Sequence, residues 1–246
     1  MIRTRFAPLA LAILALAACN KSDDSSTPKP AGAVKAVAAP AGTTWAEKVE
    51  VTGEGVKIGN PNAEIQIIEY GSYTCPHCRD FQAEGHEAIE RDYVNTGKIS
   101  FEYRHMIRDP LDLTAALVAH CFDPSAFSAI NSQLFAYQDD MIKAITAHSQ
   151  AEQQAASQAP PNERFVKLAE LGGLIEFAKQ RGLPEERVRT CLADGKKAET
   201  LAAQSQAVLE KYPDFPGTPS FLLNGTLLDA TASWPALRDR LRDAGA

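Results

Sequence analysis

The chain of 246 residues carries 25 basic and 31 acidic side chains, a formal charge of −6. That length allows one large domain or two small ones. Nothing in this acidic balance suggests the basic footprint of a nucleic-acid partner.

The first stretch is a targeting segment. Arg3 and Arg5 lead into an almost purely apolar run from Phe6 to Ala17. It is too short to span a bilayer stably and reads as a signal peptide over residues 1–18. It ends in Leu16-Ala17-Ala18-Cys19, which resembles the bacterial lipobox, in which the cysteine is acylated and becomes the new N-terminus. The alternative is an ordinary secretory cut with Cys19 a stray thiol. Residues 19–44 are rich in Ser, Asp, Pro, Ala and Lys without apolar period, and read as a flexible tether. No other segment is long and apolar enough to cross a membrane.

The folded part is expected to start near Trp45. Gly55–Ile58 reads as a short strand before the turn Gly59-Asn60-Pro61-Asn62, and Glu64–Tyr70 as the next strand. A helix is expected from Cys75 to about Asn95, bent near Gly85 and stopped by Thr96-Gly97-Lys98. Ile99–Arg104 alternates as a further strand. From Pro110 the pattern turns helical. Leu113, Ala116, Leu117 and His120 share one face, then Phe127, Ile130, Leu134, Met141 and Ile145, with a break near Asp139. Residues 151–162 read as a surface loop and Asn162 as the cap of a helix with Phe165, Leu168 and Ile175 inward. Leu183-Pro184-Glu185-Glu186 opens a short helix that Gly195 stops, and one more helix runs to Leu209. Ser220–Leu223, the turn Asn224-Gly225 and Thr226–Leu228 form a hairpin, and Ser233 caps a last helix with Leu237 and Leu241 inward.

Chemistry concentrates at Cys75-Pro76-His77-Cys78, where a strand hands over to a helix. The first N–H groups of a helix lack partners and its dipole end is positive, so a thiolate there is stabilised. Pro76 suits an early helical position that needs no donor. Cys75 and Cys78, three apart, can close a disulfide on one side of the first turn. A zinc site needs a second such pair or histidines at set spacing. His86, His105, His120 and His148 are scattered singly and read as surface or packing residues, so no metal and no organic cofactor is expected.

Tyr-Thr-Cys-Pro-His-Cys after an Ile-Glu-Tyr strand, together with Gly217-Thr218-Pro219-Ser220-Phe221-Leu222-Leu223-Asn224-Gly225, resembles the DsbA-like branch of the thioredoxin superfamily. These are bacterial periplasmic thiol–disulfide oxidoreductases. The resemblance implies an α/β thioredoxin fold, over residues 45–110 and 212–246, with an inserted all-helical domain at 111–211. It makes Cys75 the exposed nucleophile and Cys78 the buried resolving thiol. His77 would place charge or a donor beside the Cys75 sulfur, the other reading being a solvent-facing spacer. Thr218-Pro219 matches the cis-proline loop facing the cysteines, and Glu69 matches a semi-buried glutamate beneath them that handles the proton of Cys78. An outward, solvated Glu69 stays open. Cys121 and Cys191, both in the insertion, are expected to form a structural disulfide, with two unpaired buried thiols as the alternative.

The implied function is donation of the Cys75–Cys78 disulfide to reduced or misoxidised exported polypeptides. A DsbB-type quinone-linked membrane oxidase would restore the disulfide. The setting would be the periplasm, on a lipid anchor at Cys19 in either membrane. Thr218 is the residue found in related disulfide isomerases, so isomerase or reductase activity is the first alternative. A non-catalytic copper-binding lipoprotein is the second, although such modules use C-x-x-x-C with a distal His or Met.

Overall fold

The computed structural model describes residues 32–246. The expected signal segment and Cys19 lie outside the described residues.

Strands β1 (Val49–Val51), β2 (Val56–Gly59) and β3 (Ile65–Gly71) precede helix α1 (Pro76–Ala88), a π-helical turn (Ile89–Val94) and strand β4 (Ile99–His105). Eight helices follow: α2 (Pro110–Ala119), α3 (Phe127–Ala136), α4 (Gln138–Thr146), α5 (Gln150–Ser157), α6 (Pro161–Leu171), α7 (Leu174–Lys179), α8 (Glu185–Leu192) and α9 (Gly195–Lys211). The chain closes with β5 (Ser220–Leu223), β6 (Thr226–Leu227) and α10 (Trp234–Asp243).

The six strands form one sheet in the order β1-β2-β4-β3-β5-β6. Only β3 and β4 run parallel, and α1 supplies the crossover that parallel strands need. Most of their side chains are buried, the polar Glu69, Ser100, Glu102 and His105 included. Ile65, Ile67, Ile99, Phe101, Tyr103, Phe221 and Leu223 join Leu117, Leu134, Met141 and Leu168 of the inserted helices in one contiguous core. Helix α2 is buried from Leu111 to Ala119, and apart from Asp112 and Thr114 those residues are apolar. Among the described residues no single helix is long and apolar enough to cross a membrane.

Several local expectations are corrected. The tether was expected to reach residue 44, but Val34 is buried and its N–H donates to the Gly245 carbonyl at 2.9 Å. Val37 N–H donates to Thr96 O at 2.8 Å, and Trp45 Nε1 donates to Val37 O at 2.7 Å. Gly97, at φ +74°, allows this approach, since a Cβ there would lie 2.3 Å from Val37 O. The segment is held by backbone bonds, which leave no apolar pattern.

The expected loop at 151–162 is helix α5, opened by a capping box between Ser149 and Glu152. Asn162 caps nothing: Pro160 and Pro161 begin α6. Gly195 starts α9 behind the Asp194 cap instead of ending α8. Helix α1 runs without a break through Gly85, which lets Trp234 pack close, a Cβ there meeting that side chain at 3.0 Å. The break expected near Asp139 falls at Tyr137, between α3 and α4.

Candidate active site

Strand β3 ends at Gly71, and four residues later Cys75 is the N-cap of α1 (φ −91°, ψ 118°) with Pro76 at the first helical position. Strand β5 pairs antiparallel with β3, Tyr70 opposite Ser220. That register carries the preceding Thr218–Pro219 bond, which is cis, to the cysteine turn. Cys75 Sγ lies 3.1 Å from the Thr218 carbonyl oxygen.

The two thiols are not linked to each other and differ sharply. Cys75 is held down to about 5: the Cys78 thiol donating to it is the largest cause, burial opposes it, and the Thr218 side chain and the N–H groups of Cys78 and His77 add to the lowering. Burial, then the bond to Cys75 and the nearby Glu69 charge, push the Cys78 thiol far up. Cys78 is 0% exposed, as expected of a resolving thiol. Cys75 is 4% exposed, which corrects the expectation of an exposed nucleophile: its sulfur is turned back against Thr218. His77 and Pro76 are exposed, and what His77 contributes to the sulfur is its backbone N–H.

Glu69 points inward at 0% exposure, aligned with Tyr103 on one side and Phe221 on the other. Both carboxyl oxygens are buried without a hydrogen-bond partner. Burial first, and the Cys75 charge second, raise its pKa to about 8. The outward alternative is thereby removed.

Sequence reading missed the groups that hold the turn. Asp112 Oδ1 accepts from Tyr73 N–H at 2.8 Å, and its Oδ2 accepts from Ser72 Oγ at 2.7 Å and Arg108 N–H at 3.0 Å. Gln138 Nε2 donates to Tyr73 O at 2.8 Å and Cys75 O at 2.9 Å. Tyr73 OH donates to Asn131 Oδ1 at 2.7 Å. The one available signal was Asp112, a lone carboxylate in a mostly apolar helix, since burying such a group without hydrogen bonds is costly.

Away from this centre, Cys121 and Cys191 are joined, with Cα atoms 5.8 Å apart. The histidines are not all single: His105 Nε2 and His120 Nε2 lie 3.1 Å apart, brought together by the end of β4 and the end of α2. Among the described residues no group of three or more His, Cys, Asp or Glu could hold a metal ion.

The family model described as Thioredoxin matches residues 51–243. The chain belongs to the thioredoxin family. Its α/β architecture is the thioredoxin fold with a helical insertion. A protein-disulfide isomerase of Novosphingobium aromaticivorans is 31% identical, with a TM-score of 0.72 over 76% of this chain and 94% of that one. Wolbachia pipientis alpha-DsbA1, 20% identical with a TM-score of 0.63 over 82% and 96%, shares the fold. Provisionally named protein-disulfide oxidoreductases of Rickettsia typhi and Rickettsia felis are 30% and 29% identical over 72% and 84% of this chain. The matches span 57% and 64% of those relatives' own lengths.

Proposed function

We propose that the chain is a thiol–disulfide oxidoreductase that introduces disulfides into exported polypeptides through Cys75 and Cys78. The observation that carries this is the split between the sulfurs, Cys75 lowered to about 5 and Cys78 raised. In the oxidised form the two are joined. A client thiolate attacks Cys75 Sγ, the internal S–S bond breaks, and Cys78 departs with the electron pair and takes up a proton. A second client thiolate then attacks the client sulfur of the mixed disulfide, and Cys75 leaves as a thiolate. The client gains a disulfide and the protein becomes a dithiol.

Attack falls on Cys75 because Cys78 has no exposed surface. Low-pKa thiols leave faster, so the second step is favoured too. Protonated Glu69 is the group closest in chemistry to a proton donor for departing Cys78, with a pKa of about 8 that suits transfer near neutrality. A stabilised Cys75 thiolate favours the reduced protein, which makes its disulfide oxidising. Thr218 and Pro219 offer backbone to an extended client beside the sulfur.

Export to the periplasm, acylation of Cys19 and reoxidation by a DsbB-type membrane oxidase complete this reading. A second reading, isomerase or reductase, is favoured by Thr218 before the cis-proline and by the isomerase name of the Novosphingobium relative. The equilibrium potential of the Cys75–Cys78 pair against glutathione separates the two. A value near DsbA's ~−120 mV supports donation, and one near thioredoxin's ~−270 mV overturns it.

A further inference from the structure

We propose that Gln138 is a positioning residue for the nucleophile, holding the Cys75 backbone in the rotation that sets its sulfur against the first turn of α1. The proposal rests on reading Cys75 as the attacking thiol.

Helices α3 and α4 are separate because the chain breaks at Tyr137, and the break puts Gln138 at the first position of α4 with 1% exposure. Its amide nitrogen has two protons and both are used, one on Tyr73 O and one on Cys75 O. One side chain of the insertion thus spans the residues around Thr74.

The Cys75 carbonyl also accepts from Arg79 N–H at 3.2 Å, the bond that opens α1. With two donors the carbonyl is fixed, and so is the Cys75 rotation about Cα–C. That rotation governs where Sγ stands relative to the N–H groups of His77 and Cys78, which favour its anion. The amide also draws negative charge from a carbonyl oxygen belonging to the same residue as the sulfur. With the Arg79 N–H as its only donor, that oxygen would repel a thiolate more strongly.

The neighbouring contacts repeat the pattern at lower value. Arg79 Nη1 pairs with Asp139 Oδ1 at 2.6 Å, again joining the starts of α1 and α4. That pair is solvent-exposed and therefore weak. Asp112 and Asn131 hold Ser72 and Tyr73, further from the sulfur. Gln138 alone among these side chains bonds the nucleophile's own peptide group.

The test is the Cys75 thiolate absorbance against pH in the reduced full chain, with thermal unfolding in parallel. Gln138→Glu is nearly isosteric and replaces the donor by an oxygen. Its Cys75 midpoint should rise by about one pH unit, a tenfold loss of thiolate below the midpoint. Gln138→Leu should shift it the same way. An unchanged midpoint in the neutral Gln138→Leu overturns the proposal, whatever happens to the thermal midpoint, because a purely structural tie would lower stability alone. Leu168→Ala, in the core of the insertion on α6, serves as the comparison and should lower stability without moving the titration. A wild-type midpoint at the ordinary cysteine value would instead count against the thiol–disulfide reading itself.

Discussion

Cys75 Sγ and the Thr218 carbonyl oxygen lie 3.1 Å apart across 143 positions of chain. The contact exists because β3 and β5 are sheet neighbours, with Glu69 opposite Phe221 and Tyr70 opposite Ser220. Strand pairing therefore determines what the Cys75 sulfur touches.

The Thr218 side chain helps keep Cys75 acidic. Thr218→Val removes the hydroxyl and retains the branched shape and the carbonyl. The Cys75 titration should move upward, by about one unit or less, and the disulfide should become less oxidising. Thiolate absorbance and the glutathione equilibrium measure both; a downward shift would contradict the assigned role.

Glu69→Gln should stabilise the fold and slow the chemistry. The folded-state pKa of about 8 lies above the ordinary 4.5, so the unfolded chain holds fewer protons in between. Stability falls as pH rises through that window. Removing the carboxyl should recover a few kcal/mol, on the order of 3 at pH 7. Denaturant unfolding at pH 5 and pH 8 should show the gain growing with pH. Departure of Cys78 as the mixed disulfide at Cys75 forms should slow, by about 10²-fold or less.

The His105–His120 pair should make the protein acid-sensitive. Burial first, then the neighbouring Lys197, lowers His120 to about 4, and burial lowers His105 strongly. Both are neutral in the fold, while the unfolded chain charges them below about 6.5. Stability is then lost as pH falls from about 6.5 towards 4. His120→Asn should flatten that slope in a thermal-midpoint series over the same range.

Replacing both Cys121 and Cys191 by Ser should cost about 4 kcal/mol in the chain-entropy treatment, because the bond closes a long loop. The thermal midpoint should drop, and the Cys75 titration should stay where it is, since the pair lies in the insertion, away from the cysteine turn.

What could be read from residues alone was what is local or periodic. Cys75, Pro76 and Cys78 announce a strand-to-helix turn within a few positions. Ile65 and Ile67 mark a buried strand, and Glu69 continues their inward face. The grip on the turn was not legible, because Asp112 reaches Tyr73 across 39 positions and Gln138 reaches Cys75 across 63. The helix α5 was overlooked although Ser149 and Glu152 spell its capping box, since its alanines and glutamines carry no apolar face. The hold on Val34 and Val37 is made by backbone groups, which no composition betrays.

The sheet ends on one side in β1, three residues long, and on the other in β6, two residues long. Long open edges recruit foreign strands, and short ones do not. Under the proposed function, extended and unfolded clients bring such strands to the protein continually. On that reading the blunt margins keep it from seeding its clients' aggregation, and leave the backbone beside Thr218 as the place where an unfolded chain can lie down.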